Sequence, residues 1–218
     1  MRALVSLLAA AALLAAAPAA AQTQSAHGKL FPPQDLGLLE GPDRDLWQMP
    51  GPIMDALGIA EGATVADIGA GGGWFTIRLA RRVSPNGIVY AEDIQRQMLE
   101  ATGRRVAREG LDSIVRTVLG TPDDPRLPAG ALDAALLVDT YHELENPVAL
   151  LRNIARSLKP NGRVGVVGFK KDGLGPGPAL EERADPDVIV RDAEAAGLKL
   201  VRRETFLPYQ FLLVLGRK

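Results

Sequence analysis

The chain has 218 residues, 47% of them hydrophobic, with 25 basic and 26 acidic side chains and a formal charge of -1. That is enough for one globular domain with a complete core, and the balanced charge excludes the electrostatic footprint of a nucleic-acid binder. The absence of cysteine excludes disulfides and a lipid-anchoring N-terminal thiol.

In chain order, Arg2 precedes an apolar stretch from Ala3 to Ala17, followed by Pro18 and Ala19-Ala20-Ala21 before Gln22. A positive start, an apolar stretch of secretory length and an A-x-A site predict a signal peptide over 1–21, hence a periplasmic or secreted protein. The stretch is short and poor in Leu for a permanent span, so no stable membrane segment is expected after cleavage. Residues 22–42 are punctuated by Pro and Gly without periodicity and read as an irregular arm. The folded domain is expected over 43–218.

From Pro50 onward the patterns alternate. A short helix over Ile53 to Leu57 stops at Gly58, and Ala63 to Ile68 is a strand. Trp74 to Val83 has a helical apolar side and ends at Ser84-Pro85-Asn86-Gly87. Ile88 to Ala91 is a second strand, running into Glu92-Asp93. A helix from Arg96 to Arg108 closes at Gly110. Ile114 to Leu119 and the apolar run Leu132 to Val138 are the next strands, the latter covered on both faces. Asn146-Pro147 starts a helix to Leu158, Lys159-Pro160-Asn161-Gly162 is a turn, and Arg163 to Phe169 is a fifth strand. Asp185-Pro186 starts a last helix that stops at Gly197. Leu198 to Phe206 and Gln210 to Leu215, separated by only Leu207-Pro208-Tyr209, form an antiparallel pair. Arginines at Arg78, Arg81, Arg82 and at Arg104, Arg105, Arg108 have helical spacing and read as solvated faces.

The most informative turn follows the first strand: Val65-Ala66-Asp67-Ile68-Gly69-Ala70-Gly71-Gly72-Gly73. Glycines are needed where the backbone takes positive φ or passes close to a ligand. The dinucleotide fingerprint G-x-G-x-x-G requires Gly or Ala at its sixth position. Counted from Gly69 or Gly71 that position holds Trp74 or Thr76, so neither register fits NAD. The segment resembles the D-x-G-x-G-x-G turn of class I S-adenosylmethionine (SAM) methyltransferases. Five βα units and a closing strand pair also resemble that family's α/β, Rossmann-like fold: a seven-stranded, mostly parallel sheet with the last strand antiparallel and helices on both faces. The resemblance covers Trp47 to the C-terminus and implies SAM as cofactor.

An open parallel sheet binds its ligand at the carboxyl ends of its strands, where the candidate residues cluster. The resemblance implies that Asp67 orients the glycine loop or meets the methionine amino group through water, with Gly69, Ala70, Gly71 and Gly73 forming the loop. Asp93 ends the second strand, where a carboxylate can accept from both ribose hydroxyls. By similarity Asp93 is chosen over Glu92, with Ile94 beside the adenine. Thr121 stands where many relatives place an adenine-contacting Asp, with Asp123 and Asp124 behind it. Asp139-Thr140-Tyr141-His142-Glu143 follows the fourth strand, at the position that faces the sulfonium methyl in the family. His142 can take a proton from an acceptor or line the pocket, with Asp139 or Glu143 orienting it. These three as metal ligands would lack a second His or a Cys, and no metal is expected. Trp47 and Gln48 precede the first strand, Trp47 as a lid residue or a core plug.

The expected function is methyl transfer from SAM to an unidentified small-molecule acceptor. The alternative is an exported protein that keeps the fold for binding or structure without catalysis. A short-chain oxidoreductase would want Tyr-x-x-x-Lys, but Tyr141 is followed four residues later by Glu145.

Overall fold

The computed structural model describes residues 30–218. The signal peptide read over 1–21 and residues 22–29 of the arm lie outside the described residues. Seven strands form one sheet: β1 (Thr64–Ile68), β2 (Ile88–Asp93), β3 (Val115–Leu119), β4 (Leu132–Val138), β5 (Leu158–Phe169), β6 (Leu198–Glu204) and β7 (Gln210–Arg217). Their order is β3-β2-β1-β4-β5-β7-β6. The first five strands pair in parallel, and β7 runs antiparallel to both β5 and β6.

Among the described residues six α-helices accompany them: α1 (Arg44–Gln48), α2 (Pro50–Ala56), α3 (Trp74–Val83), α4 (Arg96–Arg108), α5 (Pro147–Ser157) and α6 (Pro186–Ala195). Because strand side chains alternate between faces, each strand feeds two cores. Val65 of β1 and Leu136 of β4 pack with Ile53, Phe75, Leu79 and Val106 from α2, α3 and α4. Ala66, Ile68 and Leu137 pack on the opposite face with Leu150, Ile154 and Ile189 from α5 and α6. Burying both faces explains why β4 reads as a nearly unbroken apolar run. Each fully buried Leu or Ile there contributes roughly 1.5–3 kcal/mol over an exposed one.

The elements fall where the periodicity places them, with instructive exceptions. Lys159 to Gly162 does not end the helix in a turn outside the sheet. It lies inside β5, between the pairs Leu132↔Leu158 and Ala134↔Arg163, where the register shifts. Five residues of β5 advance against two of β4, so the Pro-Asn-Gly signal marks a bulge. Within the stretch read as irregular, Pro33–Leu39 forms a 3-10 helix. Asn146 precedes α5 without a side-chain cap bond, whereas the Asp185 carboxylate accepts from the Asp187 N–H at the start of α6.

Strand order reverses between β1 and β4: the chain leaves β1 toward β2 on one side and later returns to β4 on the other. Loops after these strands therefore diverge and open a crevice at the carboxyl edge. Residues 30–48 cross that crevice before the chain enters the sheet.

Candidate functional site

The crevice is a cavity of about 1260 Å³ lined by the loops after β1, β2, β3, β4 and β5 and by the crossing segment. Its floor is the turn after β1. Gly69, Gly71 and Gly73 have φ of 69°, 54° and 78°, the left-handed region that side chains disfavour. Gly69 is also sterically enforced, since an added Cβ would lie 2.5 Å from the Thr140 methyl. Thr140 holds that position by donating to the carbonyls of Ile68 and Val138, at 3.2 and 3.1 Å. Above Gly71 the space is open apart from Leu36 Cδ2, 3.9 Å from where a Cβ would stand.

Helix α4 and strand β2 fix the loop from beneath. Thr102 Oγ1 donates to the Gly71 carbonyl at 2.7 Å and Arg105 Nη1 to that of Gly72 at 3.0 Å. The Ala70 N–H donates to the Glu92 carbonyl at 2.8 Å. Asp67 turns away from solvent to accept from Thr76 Oγ1 at 2.6 Å, tying the end of β1 to the first turn of α3. Burial pushes its carboxyl up to about 6 against that bond.

Asp93 stands at the loop's edge, as expected. Its two carboxylate oxygens accept from the N–H groups of Gly71 and Gln95, at 2.9 and 2.8 Å. Each oxygen keeps a lone pair for a further donor. Burial raises its pKa against these backbone bonds. Glu92 is buried on the other face, and its Oε1 has no hydrogen-bond partner among the described residues. Desolvation pushes it up to about 8, so it is mostly protonated at neutral pH. Ile94 and Thr121 line the cavity, but the Thr121 hydroxyl is turned into a tight loop, donating to the Asp124 carbonyl at 3.3 Å and accepting from the Asp124 N–H at 3.1 Å. The side-chain amide of Asn153 donates to the Asp123 carbonyl.

At the end of β4, Asp139 sits at φ 55°, and burial pushes its carboxyl up to about 7. The expected pairing of Asp139 or Glu143 with His142 is not formed. Asp139 instead accepts two bonds from Gln210 Nε2, at 2.8 and 2.9 Å. Glu143 Oε1 is 3.9 Å from His142 Nε2, beyond hydrogen-bond reach. Its other oxygen accepts from the Phe31 N–H at 3.4 Å, and burial raises it to about 7. The reason is directional: Asp139 is turned toward β7 by its left-handed backbone, while His142 and Glu143 lie on the following 3-10 turn. His142 lines the cavity, and burial lowers its pKa, so the imidazole is neutral at pH 7.

Arg44 and Gln210, which the sequence reading does not single out, complete the site together with Gln48 and Trp47. Arg44 Nε donates to Gln48 Oε1 at 3.2 Å, Gln48 Nε2 to Gln210 Oε1 at 2.6 Å, and Gln210 on to Asp139. Gln48 and Gln210 are fully buried, 162 residues apart. Trp47 lines the cavity with its ring 5.8 Å from that of Phe169, so it forms a wall shared by lid and pocket. Trp74 is buried, with the Arg44 and Arg78 guanidiniums at 4.2 and 3.4 Å from its ring centroid. Among the described residues the lining holds eleven Asp or Glu side chains, no Lys, and Arg44 as its one Arg. Such a cavity favours a ligand of net positive charge, presenting ammonium or sulfonium groups and hydroxyl donors.

Comparison with known proteins agrees with this geometry. Residues 66–166 match a family model described as a methyltransferase domain. The chain is 32% identical over 150 residues to nocamycin O-methyltransferase of Saccharothrix syringae, covering 66% of this chain and 52% of that protein. It is 29% identical over 123 residues to a ubiquinone/menaquinone biosynthesis C-methyltransferase of Pasteurella multocida, covering 56% and 46%. The chain thus spans about half the length of these curated relatives. A solved SAM-dependent methyltransferase from Aquifex aeolicus superposes with TM-score 0.81 at 28% identity, over 85% of this chain and 98% of that one. A type 11 methyltransferase structure from Sulfolobus solfataricus, itself described as putative, gives 0.60 at 26%, over 83% and 94%.

Proposed function

The chain belongs to the class I SAM-dependent methyltransferases, and from that premise we propose that it binds SAM and transfers its methyl group to a small-molecule acceptor. What carries the reading is the bare turn at Gly69–Gly73 beneath an acid-lined cavity, with the Asp93 carboxylate at its edge. The residues fit the cofactor. A Cβ at Gly71 would project into the cavity, Asp93 keeps acceptor capacity for ribose hydroxyls, and Ile94 offers an apolar surface to the adenine. SAM supplies a methyl group on a sulfonium, which leaves as the neutral thioether S-adenosylhomocysteine (SAH).

Around it the protein aligns and excludes water. Glu143, next to His142 on the 3-10 turn, lines the cavity with a carboxyl that favours positive charge when ionised, while Asp139 is held behind it on Gln210. An acceptor that presents an oxygen or an ammonium must lose a proton as it attacks, and His142, kept neutral by burial, is the base assigned to it. Trp47, Phe169 and Tyr209 form the part of the wall left for the acceptor. The cavity is large enough for cofactor and a small acceptor together. The segment Arg2 to Ala21 supports export, tested by intact mass of the protein recovered from its producing cell: a chain starting at Gln22 agrees, an uncleaved one does not.

The experiment for the cofactor is calorimetric titration of the purified domain with SAM and with SAH. Saturable binding is expected, weakened about tenfold or more by Asp93→Asn, the usual loss for a bond to a charged group. Absence of heat with both ligands at millimolar concentration would overturn the reading.

A further inference from the structure

The methyl-transfer scheme above leaves the acceptor's reacting atom open between oxygen and nitrogen, and two neighbouring side chains on the turn after β4 discriminate between them. His142 Nε2 and Glu143 Oε1 are 3.9 Å apart, too far to bond each other, and both residues line the cavity. Both side chains are mostly buried, 21% and 18% exposed. Among the described residues Glu143 spends only its other oxygen, on the Phe31 N–H at 3.4 Å, and His142 makes no side-chain hydrogen bond. A gap of this width fits one nitrogen lying about 2.9 Å from each atom. Such a nitrogen must donate twice, to the carboxylate oxygen and to the imidazole nitrogen. A protonated amine can do so, and a hydroxyl, with its single O–H, cannot.

The rest of the acceptor wall agrees in charge and in shape. Glu181 and Glu182, on the 3-10 turn Leu180–Glu182, line the same cavity, and neither is paired with a Lys or Arg among the described residues. The Glu182 charge acts on His142. The cations of the loop after β5 are consumed by backbone: Lys170 Nζ donates to the carbonyls of Leu207 and Pro208, at 2.8 and 3.1 Å, and the buried Arg183 to those of Lys170 and Pro178, at 2.8 and 3.1 Å. A carboxylate or phosphate on the acceptor would therefore meet like charge here. Phe169 and Tyr209 are held flat against this loop, since a Cβ at Gly177 would stand 2.6 Å from the Phe169 ring and one at Gly175 would run into that of Tyr209. With Trp47, whose ring is 5.8 Å from that of Phe169 and tilted by 45°, they offer apolar faces that also attract a cation.

We propose that the methyl acceptor is a primary arylalkylamine, taken up as its ammonium between Glu143 Oε1 and His142 Nε2 with its ring against Trp47, Phe169 and Tyr209. This rests on the SAM reading and gives its acceptor a chemical class. With its own proton on Nδ1, His142 removes one proton from the ammonium and passes it to solvent. The freed nitrogen lone pair forms the N–C bond as the C–S bond breaks, and the electrons of that bond stay on sulfur as the neutral thioether. The methylated nitrogen ends with the positive charge that sulfur gives up, beside a carboxylate that favours it. Before transfer the same carboxylate offsets the repulsion between ammonium and sulfonium.

The test uses SAH-loaded protein and three phenylalkyl probes: 2-phenylethylamine, 2-phenylethanol and 3-phenylpropanoate. Calorimetry on the wild type is expected to show the amine binding at least about tenfold tighter than the alcohol, the range of a bond to a charged group, and the carboxylate not at all. Glu143→Gln should bring amine and alcohol within about threefold of each other by weakening the amine alone. Equal weakening of both would make Glu143 a support of the fold and overturn the proposal. With SAM in place of SAH, mass spectrometry should find N-methyl-2-phenylethylamine and no methyl ether of the alcohol. A wild type that binds the alcohol or the carboxylate as tightly as the amine, binds none of the three, or leaves the amine unmethylated overturns the proposal with no variant needed. Protein that takes up no SAH fails the cofactor reading before any probe is added, so the two failures are distinct.

Discussion

Gly69 and Gly71 share a left-handed backbone yet carry different duties, and substitution separates them. Gly69→Ala places a methyl into Thr140 as well as straining φ, and should destabilise by roughly 2–4 kcal/mol, lowering Tm by about 5–15 °C in a chain of this length. Gly71→Ala bears the φ strain alone, roughly 1–2 kcal/mol, but its methyl enters the cavity. Its signature is a modest Tm change with SAH affinity lost at least tenfold. Comparable Tm losses for both, with SAH binding intact in Gly71→Ala, would remove the loop from the binding floor. The acids give a second, pH-dependent prediction. Asp67, Asp139 and Glu143 are raised by burial to about 6, 7 and 7, so they ionise as pH rises from 6 to 8 and make the cavity more negative. SAM carries one more positive charge than SAH, so the Kd ratio of SAH to SAM should grow several-fold over that interval. The same ionisation destabilises the empty fold: a raised folded pKa contributes stability that is complete below the unfolded value and lost as pH climbs through the folded one. Tm without ligand should therefore fall from pH 5.5 to 8, less so in Asp139→Asn. At this scale the positions of the glycines and of Asp93 beside the turn are legible because chemistry and spacing coincide there, whereas the Asp67 carboxylate is taken up by Thr76 on α3 and makes no hydrogen bond to the loop among the described residues. The sequence is illegible where a role depends on distant partners. Nothing local marks Gln210 as the group that takes Asp139 from His142, and Arg44 gains its meaning only once Gln48 meets β7.

The elements α1 and the 3-10 turn at Pro33–Leu39 show what periodicity does not reveal. The turn buries no residue in the core, so no apolar repeat announces it. Its Leu36 packs over Gly72, and the segment is tied down by polar contacts: Glu40 to Arg105 at 2.5 Å, Asp45 to Arg78 at 2.7 Å, Phe31 to Gln95 and Glu143. These arginines belong to helix faces that composition alone assigns to solvent, and the partners that draw Arg78 and Arg105 in lie at least 33 positions away. A segment held by half-exposed ion pairs is weakly held, since each contributes at most about 1 kcal/mol. Glu40→Gln severs one tie without touching the Arg105 bond to the glycine loop. It should change stability by less than about 1 kcal/mol while raising the SAH dissociation rate several-fold in stopped-flow displacement. An unchanged dissociation rate would show that the segment does not govern ligand escape. By contrast α3, α4 and β4 lie within the bounds read from sequence, because each buries a full apolar stripe or both faces of a strand.

For the whole molecule, alternating strand and helix signals were sufficient for the seven-stranded sheet and the reversed final pair, since loop length dictates whether neighbouring strands run parallel or antiparallel. The bulge in β5 carries the sequence signal of a turn, because Pro-Asn-Gly disfavours regular pairing in either setting. What the fold contributes to function is placement: the reversal of strand order between β1 and β4 opens one crevice, and loop, acids, His142 and the crossing segment converge on it. The central claim is that this crevice seats an adenosyl sulfonium on the bare turn. The most direct measurement is a crystal structure of the domain grown with SAH. The account predicts the thioether tail along Gly69–Gly73 and the ribose hydroxyls on Asp93. A ligand bound elsewhere, with Leu36 and Asp93 still closed over an empty turn, would contradict it.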